Sequence, residues 1–231
     1  MPVDIEHLRK NVEQATARIE AAHARGGHGQ RVRLLVATKY VTAEDMSVLH
    51  EAGVRLVGEN RAEELELKWS VWGEAFEFHF IGHLQRRKVR GVVPRVKMVH
   101  SVDSLRLAEE MHQRAEAPID ALLEVNMSGE ESKYGILPGD VEAFLEQAQA
   151  LESVRFRGFM TMAPLVRDPE EVRLVFRRLR ELRDRISPLF TPRYLLDELS
   201  MGMSNDYEVA VEEGATIVRL GSALFACAQG G

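Results

Sequence analysis

Ser200-Met201-Gly202-Met203-Ser204-Asn205-Asp206 follows the apolar run Tyr194-Leu195-Leu196 and leads into Tyr207-Glu208-Val209-Ala210-Val211. Two hydroxyls, a glycine that allows close backbone approach and a following helix N-terminus make this stretch read as a loop that holds an anion. Further along, the apolar run Ile217-Val218 ends in Arg219-Leu220-Gly221-Ser222 and repeats the glycine-plus-hydroxyl theme. Two such turns at the ends of consecutive strands form one cup, an arrangement expected at the C-terminal face of a β/α barrel.

The rest of the chain carries the same alternation. Strands are expected at Leu34–Thr38, Arg55–Gly58, Phe78–Ile81, Met98–Ser101, Ala121–Val125, Phe156–Met160, Tyr194–Leu199 and Ile217–Leu220. Helical patterns fall between them at Ala43–Ala52, Ala62–Trp72, Gln85–Val92, Ser104–Ala115, Gly139–Leu151, Glu170–Ile186 and Tyr207–Glu213. Ahead of the first strand, Ile5, Leu8, Val12, Ala15, Ile19 and Ala22 recur at helical spacing up to the Gly26-Gly27-His28-Gly29 turn. The pattern predicts a single-domain TIM (β/α)8 barrel over residues 1–231, with an extra N-terminal helix covering one flank.

Composition fits such a domain. The 231 residues are 45% hydrophobic and 29% charged, enough apolar material for a core and no disordered signature. A net charge of −6 argues against a general nucleic-acid binder. The basic runs Arg86-Arg87-Lys88 and Arg177 to Arg185 read as solvated helix faces paired with nearby carboxylates. Cys227 is the only cysteine, which excludes an internal disulfide and a multi-cysteine metal site. His79 and His83 straddle a strand end without the spacing of zinc ligands, so no metal is expected; His79 is expected to pack within its strand and His83 to line the mouth. No window resembles a membrane span or a secretory signal, and a cytoplasmic protein is expected.

In a barrel, chemistry sits where the strands end. That rule assembles Lys39, Glu59-Asn60, Gly82-His83, Asp103, Asn126, Thr161, Ser200 to Asp206 and Gly221-Ser222 into a polar ring. Lys39 emerges from the buried run Leu34 to Thr38; a desolvated amine there is nucleophilic and condenses with carbonyls. The competing reading is a rim lysine paired with Glu59 or water. A Schiff-base lysine beside a phosphate cup leaves two chemistries, a class I sugar-phosphate aldolase and pyridoxal 5′-phosphate (PLP). Arg219 lies two residues before Gly221 and shares its facing, toward a ring held above the cup. Facing a pyridine nitrogen, it would discourage protonation and make the ring a weak electron sink. The alternative for Arg219 is an ion pair with Glu198 or Glu212.

Several motifs carry a family resemblance: Val36-Ala37-Thr38-Lys39, Gly58-Glu59-Asn60, His79-Phe80-Ile81-Gly82-His83-Leu84-Gln85, Val125 to Gly135, Gly158-Phe159-Met160-Thr161-Met162, Leu199 to Ser204, and Val218 to Ser222. In this order the chain resembles the pyridoxal phosphate homeostasis proteins, single-domain relatives of the alanine racemase N-terminal barrel. The resemblance covers about residues 3 to 227. It implies that Lys39 forms the internal aldimine, that Ser200, Met203, Ser204, Gly221 and Ser222 lie on phosphate-binding segments, and that Asn60 occupies a pocket position. Lys133 matches a second family lysine associated with cofactor occupancy or transfer, although Glu130, Glu131 and Lys133 also read as an ordinary solvated loop. Tyr40-Val41 departs from the family, where a polar residue and a proline are common.

Racemisation needs proton carriers on both faces of a planar intermediate, so one lysine is insufficient. In the racemases that the chain resembles, the opposite base is a tyrosine from an additional C-terminal domain, and the sequence to Gly231 contains no such domain. The expectation is therefore a PLP carrier acting in cofactor homeostasis, without robust catalysis and with no catalytic residue assigned. A low-activity amino-acid racemase is the alternative, followed by the Schiff-base aldolase. PLP-dependent apoenzymes are the expected partners, nucleic acid and membrane are not, and the state expected is a monomer or weak dimer.

Overall fold

The computed structural model describes residues 4–130 and 134–225. Eight parallel strands close into a barrel in chain order: β1 (Arg33–Ala37), β2 (Leu56–Glu59), β3 (Glu77–Phe80), β4 (Met98–Val102), β5 (Ile119–Glu124), β6 (Val154–Met160), β7 (Glu198–Met203) and β8 (Ile217–Leu220). Closure is made by β8 on β1, with Arg33 opposite Ile217 and Val36 opposite Leu220. The α-helices are α1 (Ile5–Gly26), α2 (Met46–Glu51), α3 (Ala62–Trp72), α4 (Val89–Val92), α5 (Leu105–Arg114), α6 (Val141–Ala148), α7 (Arg173–Phe190), α8 (Tyr207–Glu212) and α9 (Ser222–Phe225). Among the described residues no helix is long and apolar enough to cross a membrane.

The N-terminal helix shows how the sequence encodes an element. Asp4 caps α1 by accepting the His7 amide at 2.7 Å, and Gly27 ends it in the left-handed conformation at φ 68°. Leu8, Ala15, Ile19 and Ala22 form its buried face, which packs against α8 and α9. Arg25 on its outer side meets Glu212 at 2.6 Å. Of the basic run on α7, Arg177 and Arg180 reach Glu213, as does Arg173 ahead of the run, and Arg183 meets Asp184.

Alternation along the strands separates two apolar layers. Outward residues such as Val36, Val57, Phe78, Val99, Leu123, Phe159 and Leu199 pack under the helices. Each such side chain contributes roughly 1.5–3 kcal/mol on burial. Inward residues Leu35, Met98, Leu122, Met160 and Ile217 form a separate cluster inside the barrel. The remaining inward volume is polar, and it is this polar column that positions the site.

One element differs from its expected place. β7 begins at Glu198 and runs to Met203, whereas the sequence predicts strand over Tyr194–Leu199. Tyr194 and Leu196 are buried in the outer layer ahead of the strand. Ser200 and Gly202 belong to the strand itself, so the cup begins at Met203 and Ser204 rather than at Ser200. The stretch reads as a loop because an inward serine is disfavoured in a strand unless the barrel interior supplies polar partners, as it does here.

Candidate cofactor site

A cleft of about 290 Å³ opens at the C-terminal mouth of the barrel, lined by Lys39, Asn60, Met203, Ser204, Arg219, Gly221 and Ser222 together with Tyr40, Ile81, Met162 and Leu165. Its size lies at the lower end of small-molecule sites, about 300 to 1,000 Å³. Seven of the eight residues expected from sequence are brought together here; Ser200 lies below, fully buried.

Lys39 sits in the turn directly after β1 and is exposed, with Nζ 4.8 Å from the centre of the Tyr40 ring. Of the two settings open from sequence, the exposed rim position is found rather than the desolvated one, and Glu59 is not its partner. The run buries Thr38 and stops one residue short. On the opposite side of the cleft the amides of Gly221 and Ala223 both donate to Ser204 Oγ, at 3.4 and 3.2 Å. Asp206 holds this turn by accepting the Met203 amide at 2.7 Å. Two convergent N–H groups satisfied by a rotatable hydroxyl form a cradle that an anion can enter by displacing or joining that hydroxyl.

Beneath Lys39 lies a buried ion pair. Glu59, expected in the polar ring, instead turns away from the cleft to Lys68 of α3, whose Nζ lies 2.5 Å from Glu59 Oε1 and 2.9 Å from the Thr38 carbonyl. Thr38 Oγ1 also donates to Glu59. Both charged side chains are essentially out of solvent. One ammonium thus ties the ends of β1 and β2, the strands that carry Lys39 and Asn60.

Arg219 enters the barrel from β8 and is buried. Its Nη1 donates to the Ser200 carbonyl at 2.8 Å and to Ser200 Oγ at 2.6 Å, and its Nη2 donates to the Thr161 carbonyl at 3.0 Å. Neither carboxylate considered from sequence pairs with it: Glu198 takes Arg33 at 2.6 Å, and Glu212 takes Arg25 and Arg173. Burial pushes the guanidinium down to about 10, opposed by the charges of Glu124 and Asp206. Glu124, at the inward end of β5, is raised to about 7 by burial and secondarily by Asp103. Ser200 Oγ lies 2.9 Å from His100 Nδ1, and His100 Nε2 lies 2.8 Å from His79 Nδ1.

His79 lies inside its strand, and His83 stands at the mouth, its ring stacked on Tyr134 at 4.1 Å between centroids. Among the described residues no group of three or more His, Cys, Asp or Glu is placed to hold a metal ion. Lys133 and Cys227 lie outside the described residues. Sequence reasoning missed Lys68, His100 and Glu124. The signals were present: Lys68 follows Leu65 at helical spacing on the buried face of α3, while His100 and Glu124 follow the inward Met98 and Leu122 by two residues.

The barrel, with a lysine, a buried arginine and hydroxyl-capped backbone amides lining one mouth cleft, matches a known class of barrel domain. The family model of the alanine racemase N-terminal domain matches residues 3–229. The chain belongs to the pyridoxal phosphate homeostasis proteins within that family. It is 40% identical over 221 residues to the pyridoxal phosphate homeostasis protein of Aquifex aeolicus, with 94% of this chain and 96% of the relative covered. It is 38% identical to the protein of that name from Pseudomonas aeruginosa, with 94% of each covered. Among solved structures, PipY of Synechococcus elongatus PCC7942 with PLP bound superimposes at a TM-score of 0.83, with 30% identity, 95% of this chain and 100% of that chain covered.

Proposed function

We propose that this protein binds PLP in the barrel mouth through a Schiff base to Lys39 and serves as a carrier in cofactor homeostasis rather than as an efficient enzyme. The observation that carries this reading is the convergence of Lys39, Arg219 and the Ser204–Gly221–Ser222 cradle on one cleft. The donor set fits the group: an exposed amine for the aldehyde, a cation for the ring, and two backbone N–H groups for the phosphate.

PLP supplies an aldehyde that condenses with amines and a ring that stabilises carbanions. Lys39 would supply the amine that the aldehyde condenses with. The amides of Gly221 and Ala223 and the hydroxyls of Ser204 and Ser222 would hold the phosphate. Arg219 keeps its proton at neutral pH and would donate a hydrogen bond to the ring nitrogen without transferring the proton, which would leave the ring a poor electron sink. This supports holding over turnover. The recipients are PLP-dependent apoenzymes inside the cell, and residues 1–231 act as one binding domain.

Titration with PLP tests the reading. The wild type is expected to gain a visible absorbance band that a Lys39→Ala variant lacks; a protein that gains none contradicts it. Weak racemase activity is the second reading, since Lys39 would offer the same amine to either role. Loaded protein incubated with chiral amino acids in deuterated water discriminates the two: the carrier reading expects no α-deuterium incorporation at catalytic rates.

A further inference from the structure

The barrel interior contains two histidines that the proposed function does not use. His79 and His100 are 1% and 0% exposed, yet both are fully hydrogen-bonded. They belong to one column running from Glu77, at the N-terminal end of the barrel, to Arg219 under the cleft. Its steps are Glu77 Oε1 to His79 Nε2 at 2.9 Å, His79 Nδ1 to His100 Nε2 at 2.8 Å, His100 Nδ1 to Ser200 Oγ at 2.9 Å, and Ser200 Oγ to Arg219 Nη1 at 2.6 Å.

The direction of every bond in this column follows from its ends. Arginine only donates, so Ser200 Oγ accepts from Arg219. A serine oxygen can accept twice, so the other end decides. The Glu77 carboxylate only accepts, which puts the proton of a neutral His79 on Nε2 and leaves its Nδ1 to accept from His100 Nε2–H. His100 Nδ1 is therefore unprotonated and takes the Ser200 hydroxyl proton. Burial favours the neutral form of both rings, as the column requires.

We propose that His100, His79 and Ser200 are positioning residues for Arg219: a one-way chain of neutral Nε2–H imidazoles fixes the serine hydroxyl as an acceptor and thereby sets the guanidinium that faces the PLP ring. An imidazole protonated on Nδ1, or on both nitrogens, would turn a donor toward Ser200 or toward the other ring and break the chain. Glu77 terminates the column from outside the site, and its carboxylate is shared with Arg33 at 3.5 Å. The assignment of Arg219 to the ring rests on the proposed function; the orientation of the column does not.

Long-range ¹H–¹⁵N NMR on histidine-labelled protein without added PLP tests the column itself. Two imidazoles with the neutral Nε2–H signature, absent respectively from His79→Gln and His100→Gln samples, are expected in the wild type. A Nδ1–H or doubly protonated ring at either position at pH 7 overturns the proposal, whatever PLP does. The role toward the ring is read by PLP affinity and absorbance maximum in His100→Phe and Ser200→Ala. The serine variant removes one oxygen and serves should the first fail to fold. Expected are roughly tenfold weaker binding and a shifted maximum, with Lys39 still labelled. Wild-type affinity and an unmoved maximum in a folded variant would overturn the positioning role, whereas a wild type that binds no PLP would contradict the proposed function alone.

Discussion

Lys68 Nζ lies 2.5 Å from Glu59 Oε1, and neither side chain reaches solvent. This pair sits under the turn that carries Lys39 and holds it through the Thr38 carbonyl. The second carboxylate oxygen of Glu59 has no hydrogen-bond partner among the described residues. A buried charge in this position depends heavily on its one counter-ion, because desolvation of each ion costs several kcal/mol.

Lys68→Met should accordingly lose about 3 to 5 kcal/mol of stability by urea denaturation at pH 7, since it strands the Glu59 charge. Glu59→Leu combined with Lys68→Met removes both charges and should recover most of that loss. Thr38 Oγ1 keeps the Gly58 carbonyl as an acceptor at 3.3 Å. A double variant no better than the single one would show that the pair itself is not the source of the cost.

Glu124 gives a pH prediction with a definite sign. Its folded value is raised to about 7, so at intermediate pH the folded state binds more protons than the unfolded state does. Stability from this group is present below the ordinary carboxylate range and is lost as pH rises through about 7. The stability difference between wild type and Glu124→Gln should change by about 2 kcal/mol between pH 5 and pH 8, with the wild type losing ground at the alkaline end. Chemical denaturation at both pH values measures it, and a pH-independent difference would refute the assignment.

Two glycines separate local sterics from the general cost of mutation. A Cβ on Gly82 would run into the backbone of Asn60, with the Asn60 Cα at 2.7 Å, so Gly82→Ala should displace a cleft residue and weaken PLP binding by roughly tenfold, about 1.4 kcal/mol. Gly91, within α4, has nothing within 4 Å of its would-be Cβ. Gly91→Ala should stabilise by about 0.5–1 kcal/mol without changing PLP affinity. Isothermal titration with PLP beside thermal melts reads both effects; equal affinity in the two variants would contradict the placement of Asn60 in the site.

The barrel and most of the cleft were legible in the sequence because their signals are local. Apolar runs of strand length alternate with helical periodicity, and Lys39, Asn60, Met203, Ser204, Arg219, Gly221 and Ser222 all stand at or near strand ends, where the fold rule places chemistry. The polar interior was not legible. Ser200 reads as a loop residue because its partners are His100, on β4, and Arg219, on β8. Lys68 reads as one charge among many until the fold brings Glu59 against it. The apolar run before Lys39 left a desolvated and a rim setting open, because where the strand would stop was not readable; it ends at Ala37, and the lysine stands in the open turn beyond.

The most direct test of the central claim is to reduce the PLP-treated protein with borohydride, digest it and map the attachment by mass spectrometry. Reduction converts an imine into a stable amine and so records which lysine carried the cofactor. A phosphopyridoxyl group is expected on Lys39, and none at that position in the Lys39→Ala variant treated identically. A protein that binds PLP yet carries no group on Lys39, or carries it chiefly on another lysine, would contradict it.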